Sequence, residues 1–164
     1  MSVTLRLIGG GLVVASALIA SQEYSAYAKR RLLQYEGLVA LFSHVEGKIR
    51  DFLASGDGLY RGFENEELER VGLLPLLREG ERLKEAFCKC EGHLALPKGT
   101  VEGINTFLST LGRGYRDGEV AAFSAFRNKL EAEMKSEAER LDKSVKITRA
   151  LLIGGALAFL IMIV

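Results

Sequence analysis

The sequence predicts an all-α protein, an antiparallel helical bundle of five or six helices flanked by an N-terminal and a C-terminal transmembrane helix. Three observations lead to this prediction. Leu, Ala, Glu, Lys and Arg dominate a chain that has two Pro and no Trp, and such a composition favours helices. Charged residues are almost confined to residues 29–149. Uncharged hydrophobic runs lie on both sides of this charged middle.

The first transmembrane helix is predicted over residues 3–22. Residues 7–20 (LIGGGLVVASALIA) carry no charge, and a helix of about 20 residues crosses a hydrocarbon core of about 30 Å. Arg6 is near enough to the end of this span to reach the interface with its charged head. Tyr24 and Tyr27 fall where an interfacial aromatic belt is expected.

The same segment has an alternative interpretation as a secretory signal peptide. Ala15-Ser16-Ala17 matches the small-residue pattern of a cleavage site. Only Arg6 provides positive charge before the hydrophobic run, and the run continues past this site to Ala20. These two features favour the transmembrane helix, and cleavage stays open.

The second transmembrane helix is predicted over residues 147–164. Residues 150–164 (ALLIGGALAFLIMIV) are uncharged. The alternative is a helix buried in the core of the domain. The remaining chain is too small to surround a helix that is apolar on every side, so the membrane is the expected environment.

The basic residues beside the two spans predict the orientation. One cluster, Lys29 to Arg31, follows the first span, and Lys143, Lys146 and Arg149 precede or enter the second. Both clusters lie on the side of residues 29–149, and basic residues are enriched on the cytoplasmic side of membranes. We therefore expect a multi-pass protein of the cell membrane whose helical bundle, residues 29–149, faces the cytoplasm.

Two apolar stripes predict the first and last helices of the bundle. The first helix is expected to continue from the membrane to about Ala54, and the last to run unbroken from about Gly118 to Val164. The first stripe comprises Tyr35, Leu38, Phe42, Val45, Ile49 and Phe52. The second comprises Val120, Phe123, Phe126, Leu130, Met134, Ala138, Leu141 and Val145.

Capping signals predict the shorter helices between these two. Asn65 is a candidate N-cap before two glutamates. Pro75 fits the first turn of a helix that is expected to reach about Cys90. Thr100 follows a Pro-Gly turn and is expected to cap the next helix.

Composition and spacing disfavour nucleic-acid binding and catalysis. The middle of the chain has 21 basic and 20 acidic residues, which gives no basic surface for nucleic acid. Cys88, Cys90 and His93 could supply metal ligands, but positions two apart on a helix do not face each other and no second cysteine pair exists to complete a zinc site. We expect no enzyme activity, metal or cofactor, with a membrane enzyme using these three residues as a minor alternative.

The densest glycine and arginine cluster is LGRGYRDGE, residues 111–119. A phosphate-binding loop would need a strand before it and a Lys-Ser or Lys-Thr after it, and both are missing. The cluster is therefore predicted to be a helix corner, with Gly112 or Gly114 ending one helix, Asp117 capping the next and Glu119 in its first turn. Arg and Tyr are enriched at interfaces. The candidate partner-contact residues are Arg113, Tyr115 and Arg116.

This corner, the long charged helix after it and the closing run KITRALLIGGALAFLIMIV resemble the stage III sporulation protein AB family of endospore-forming bacteria. Many members read L-G-x-x-D-x-x-x-Q at the corner, where this chain has Leu111-Gly112 and then Tyr115 and Glu119. The hydrophobic helix that runs into Ala28-Lys29-Arg30-Arg31-Leu32 is also similar to the family. Residues 56–97 match it poorly.

The resemblance implies a cytoplasmic domain similar to the platform proteins of type II secretion and type IV pilus systems. It also implies membership of an eight-protein complex that links mother cell and forespore, next to a secretion-type ATPase, the stage III sporulation protein AA. We therefore expect a non-enzymatic membrane scaffold that docks this ATPase, on the mother cell side of the forespore membrane. The alternative is a transmembrane sensor or signalling adaptor, and homo-oligomerisation stays open.

Overall fold

The computed structural model describes residues 3–51, 56–111 and 116–163, and within these ranges all regular structure is helical. The all-α prediction is therefore confirmed. Short 3₁₀ helices also occur at Gly56–Leu59 and Glu91–His93. The α-helices are α1 (Val3–Arg50), α2 (Glu66–Arg70), α3 (Leu73–Arg78), α4 (Leu83–Cys90), α5 (Lys98–Thr110) and α6 (Arg116–Ile163).

Capping and glycine geometry explain the short helices. The side chain of Asn65 accepts a hydrogen bond of 3.0 Å from the backbone N–H of Leu68, which confirms it as the N-cap of α2. The prediction of one helix from Pro75 to Cys90 is wrong, because the chain breaks at Gly80 between α3 and α4. Gly80 has a φ of 90°, a left-handed conformation that favours glycine and cannot continue a right-handed helix.

The predicted N-cap role of Thr100 is also wrong. Helix α5 begins at Lys98, with Pro97 in the cap position, because the fixed φ of proline suits the start of a helix. Thr100 is instead a buried residue in the first turn, and its hydroxyl group bonds to other helices.

The chain forms two compact units. One, here called the paired-helix unit, consists of Met1–Lys29 and Ser136–Val164, and the other, here called the bundle unit, consists of Arg30–Lys135. Helices α1 and α6 each contribute residues to both units. The predicted limits of membrane and cytoplasmic segments are not tested by this division and stay predictions.

Four phenylalanine rings form the centre of the bundle unit. Phe42 of α1 lies 5.9 Å from Phe107 of α5, and 6.1 and 5.7 Å from Phe123 and Phe126 of α6, in edge-on geometry. The rings of Phe107 and Phe126 stack at 4.2 Å. Edge-on and stacked pairs are the arrangements that aromatic quadrupoles favour. The cluster thus joins α1, α5 and α6.

A buried ion pair also links α1 and α6 in the bundle unit. Glu46 has only 4% of its surface exposed, and its second carboxylate oxygen lies 3.5 Å from Nε of Arg127. Arg50 binds the other carboxylate oxygen from the same face of α1. Because a buried charge is costly without a partner, Arg127 and Arg50 together keep Glu46 compatible with the core.

The paired-helix unit is held by small side chains and one interhelical hydrogen bond. Tyr24 Oη of α1 lies 2.7 Å from Ser144 Oγ of α6. Ser21 and Ala28 of α1 are buried here, and short side chains allow two helices to approach closely. Many large apolar side chains of this unit are exposed, as described below.

Among the residues that the structure describes, no helix combines the length and the apolar character needed to cross a membrane. The two predicted transmembrane helices therefore receive no support from the structure.

Gly37 of α1 packs closely against the start of α2 in the bundle unit. A Cβ atom at this position would lie 2.8 Å from Oδ1 of Asn65 and 3.0 Å from Cγ of Leu68. Both distances are shorter than ordinary van der Waals contacts. The same Asn65 oxygen caps α2, so it cannot move away without losing that hydrogen bond.

We expect Gly37→Ala to lower the free energy of unfolding by about 1–3 kcal/mol through overpacking. Gly47→Ala on the same helix is the matched control, because no atom lies within 4 Å of its Cβ position. Alanine there should be neutral or stabilising by about 0.5–1 kcal/mol. Urea unfolding of both variants measures the difference, and equal midpoints would contradict the packing described.

Candidate functional site

A groove of about 660 Å³ is a candidate binding site in the bundle unit. It lies where the bundle portion of α1, the start of α4, the end of α5 and the start of α6 come together. A volume of this size suits a small ligand or an inserted side chain of a partner. The lining residues are Val45, Ile49, Leu59, Tyr60, Arg82, Leu83, Lys84, Glu85, Leu108, Ser109, Leu111, Glu119 and Phe123.

The groove has an apolar floor and a charged rim. Val45 and Phe123, which belong to the hydrophobic core, form part of its floor. Exposed Arg82, Lys84 and Glu85, at the start of α4, stand at its edge. An apolar centre within a polar rim is the usual anatomy of a protein–protein contact.

Tyr60 forms one wall of the groove. Burial raises the pKa of the Tyr60 hydroxyl group above its ordinary value, and a hydrogen bond with the backbone of Leu83 partly offsets this effect. Because the shift is upward from a value near 10, Tyr60 is neutral at physiological pH. Tyr60 therefore contributes an uncharged aromatic ring to the lining of the groove.

The predicted helix corner is adjacent to this groove in the sequence. Leu111 and Glu119, which flank the corner, both line the groove. Asp117 is exposed in the first turn of α6, which begins at Arg116. The other predicted residues of the corner lie outside the part of the chain that the structure describes. They are Gly112, Arg113, Gly114, Tyr115 and the side chain of Arg116.

A second feature is a polar seam through which α1 holds the segment before α5. Arg31 Nε donates to the backbone oxygen of Ala95 at 2.7 Å, and the Ala95 N–H donates to Gln34 Oε1 at 2.7 Å. One residue on α1 thus satisfies each backbone group of Ala95. Buried backbone groups need such partners, so the seam fixes the path of the chain into α5.

The seam continues through two hydroxyl groups to α6. Thr100 Oγ1 donates to Glu133 Oε2 at 3.2 Å, because an ionised carboxylate can only accept. The Tyr35 hydroxyl lies 2.9 Å from Thr100 Oγ1 and is therefore the donor of that bond. The chain Tyr35–Thr100–Glu133 links α1, α5 and α6 and reads as a structural clamp, not as a site with a free nucleophile.

The three residues weighed as metal ligands do not converge. Cys88 and His93 are exposed, whereas Cys90 is buried. Burial raises the pKa of the Cys90 thiol, and the nearby Glu81 carboxylate acts in the same direction. Across residues 3–51, 56–111 and 116–163, no group of three His, Cys, Asp or Glu is placed to hold a metal ion.

Comparison with known families decides the assignment. The family model for stage III sporulation protein AB matches residues 77–164, which is more than half of the 164-residue chain. The chain belongs to the stage III sporulation protein AB family. The protein therefore has a role in sporulation. No curated protein and no solved structure matches the chain.

The extent of the family match differs from the similarity seen in the sequence. The match includes α4 to α6 and the corner, which confirms the resemblance in the last third of the stage III sporulation protein AB chain. It also includes residues 77–97, where little similarity was visible. The similarity around residues 28–32 lies outside the match and stays a prediction.

The sequence does not predict the groove, since its lining comes from five separate segments of the chain. No local pattern marks residues that meet only in the folded protein. The sequence contains an indirect signal: Leu111 and Glu119 belong to the stretch LGRGYRDGE, which also contains the candidate contact residues Arg113, Tyr115 and Arg116.

If Thr100 is a structural clamp, Thr100→Val should lower the free energy of unfolding by about 1–3 kcal/mol, because it removes the hydrogen bonds to Tyr35 and Glu133 at a buried position while keeping the side-chain shape. Thr106→Val, on the same helix, is the matched control. The Thr106 hydroxyl is exposed and bonds only to the backbone oxygen of Glu102 one turn earlier. Chemical unfolding should leave this control within about 0.5 kcal/mol of wild type. A wild-type unfolding midpoint for Thr100→Val would show that the Thr100 hydroxyl does not stabilise the bundle unit.

Proposed function

We propose that this stage III sporulation protein AB family member is a non-enzymatic, membrane-anchored scaffold of a secretion-like channel complex that links mother cell and forespore. In this proposal the paired-helix unit lies in the membrane. The bundle unit faces the cytoplasm of the mother cell and docks a secretion-type ATPase resembling stage III sporulation protein AA. Three lines of support follow.

The exposed apolar surface of the paired-helix unit carries the proposal. Every large hydrophobic side chain that is exposed among the described residues belongs to this unit. Apolar surface concentrated in this way marks contact with membrane or protein. The residues are Leu12, Leu18, Ile19, Tyr27, Ile147, Leu151, Ile153, Leu157, Phe159 and Ile161.

Lipid is the covering that the sequence of these segments favours. Residues 7–22 and 150–164 contain no charged residue, and a protein partner of equal extent would be expected to meet at least some charged or polar side chains. The basic clusters beside both segments favour a cytoplasmic location for residues 29–149.

The groove end of the bundle unit is the proposed docking surface. It combines an apolar floor at Val45 and Phe123 with a rim of opposite charges, Lys84 and Glu119 among them. The contact candidates Arg113, Tyr115 and Arg116 adjoin it in sequence. Arg and Tyr anchors next to a pocket are the usual centres of binding energy in protein interfaces.

The topology can be tested with the protein's own thiols. Cys88 is exposed and Cys90 is buried, so in the Cys90→Ser variant Cys88 reports the side on which the bundle unit lies. A membrane-impermeant maleimide should label Cys88 only after the cells are permeabilised. Ser2→Cys in a cysteine-free background, before the first predicted span, is the matched control and should be labelled in intact cells. Labelling of Cys88 in intact cells would reverse the proposed orientation.

Docking can be tested by co-purification with the stage III sporulation protein AA ATPase from sporulating cells. Arg113→Ala with Arg116→Ala should reduce recovery of the ATPase by about tenfold or more, which corresponds to about 1.4 kcal/mol. Arg61→Ala with Arg78→Ala, two exposed arginines elsewhere on the bundle unit, should retain wild-type recovery. Thermal melts of both double variants should equal that of wild type.

The scaffold proposal also has an outcome that ends it. If the wild-type protein does not associate with the ATPase, and a strain lacking the gene sporulates normally, the protein is not a scaffold of this complex. Loss of binding in the Arg61 and Arg78 control would instead move the docking surface away from the groove.

A further inference from the structure

The paired-helix unit contains a sharp chemical boundary at one level of both helices. The hydrogen bond from Tyr24 to Ser144 fixes this level, with the two oxygens 2.7 Å apart. Ala156 of α6 is 6% exposed, and within this unit only α1 residues before Tyr24 can cover it. The two helices are therefore antiparallel, and residues that precede Tyr24 lie level with residues that follow Ser144.

On both helices the charges end within about a turn and a half of this bond. On α1, no charged residue lies between Arg6 and Glu23, which directly precedes Tyr24. On α6, no charged residue follows Arg149. At a rise of ~1.5 Å per residue, Arg149 lies only about 8 Å beyond Ser144. Ile147 and Leu151, which are exposed, begin the apolar surface at the same level.

Three cations stand on this boundary. Lys143, Lys146 and Arg149 are all exposed, and steps of three residues keep them within a sector of about 120° on α6. Lys146 Nζ lies 2.7 Å from Oδ2 of Asp142, and the Lys146 side chain is 74% exposed. No described residue forms an ion pair with Lys143 or Arg149. From Asp142 to Arg149 the sector thus has three positive charges against the one negative charge of Asp142, while Glu139 lies one turn before Lys143 and Glu23 lies on α1 beside Tyr24.

We propose that Lys143, Lys146 and Arg149 form a binding band for the headgroups of anionic phospholipids. The inference rests on the proposed membrane location of the paired-helix unit. Three cations next to the first lipid-exposed side chains meet the headgroup phosphates of the cytoplasmic leaflet, and basic residues near an anionic surface favour anionic lipid. The band gives this part of the protein a preference for one class of lipid, which a purely apolar anchor would not have.

The absence of tryptophan from the chain allows a clean measurement. Ile147→Trp places one fluorophore between Lys146 and Arg149, at a side chain that is 59% exposed. The full chain is reconstituted into phosphatidylcholine vesicles that contain phosphatidylglycerol. In parallel samples, one of the two lipids carries bromine atoms at a shallow acyl position, and the loss of tryptophan fluorescence reports the lipid beside the probe.

We expect brominated phosphatidylglycerol to quench more strongly than brominated phosphatidylcholine at equal mole fraction, with an about two- to fivefold higher relative association. Changing the three cations to glutamine, Lys143→Gln, Lys146→Gln and Arg149→Gln, should bring the ratio to about one. The matched control Lys98→Gln, Lys129→Gln and Lys135→Gln removes the same charge from the bundle unit and should keep the preference. Molar salt should weaken it.

The outcomes separate this proposal from the one on which it rests. Equal quenching by the two brominated lipids shows that the chain is in the membrane and overturns the headgroup band alone. Quenching by neither lipid overturns the membrane location and the band together. A preference that survives the three glutamine substitutions overturns the assignment to these cations.

Discussion

Phe42 of α1 lies against three phenylalanine rings of α5 and α6, and the bundle unit depends on this contact. Each buried aromatic ring removes roughly 150–250 Å² from water, so the cluster provides a large apolar contact between the two longest helices and α5. Phe123 is at once part of this cluster and part of the groove floor. The shape of the candidate docking surface is therefore set by the same rings that hold the core.

Much of the fold was predictable because long helices repeat their signal. The stripe from Tyr35 to Val45 is buried as expected, and α6 runs unbroken through the charged stretch and the apolar run. Local signals failed where tertiary structure decided between alternatives. Gly80 ends α3, although the apolar periodicity of the sequence continues past it. The Thr100 hydroxyl bonds to Tyr35 and Glu133, because α1 and α6 both lie within hydrogen-bonding distance of it. The groove could not be predicted, since its walls are distant in sequence.

The two compact units differ in what their surfaces offer. In the bundle unit the described large apolar side chains are covered, and its exposed surface is a mixture of Lys, Arg, Asp and Glu that carries little net charge. In the paired-helix unit, large apolar residues such as Leu12 and Leu151 are exposed, and the charged residues lie near the level of the Tyr24–Ser144 hydrogen bond. The proposed anchoring and the proposed partner recognition thus fall in different parts of one chain.

The polar seam has a consequence for how the family should be delimited. The family match begins at residue 77, yet inside it Ala95 is bonded by Arg31 and Gln34, and Phe107 packs on Phe42. The family match thus leaves out α1 residues that pack against the matched segment in the bundle unit. Across related sequences, changes in the size of the side chain at Phe42 should be accompanied by compensating changes at Phe107 or Phe126. Positions before and after residue 77, where the family match begins, should therefore covary.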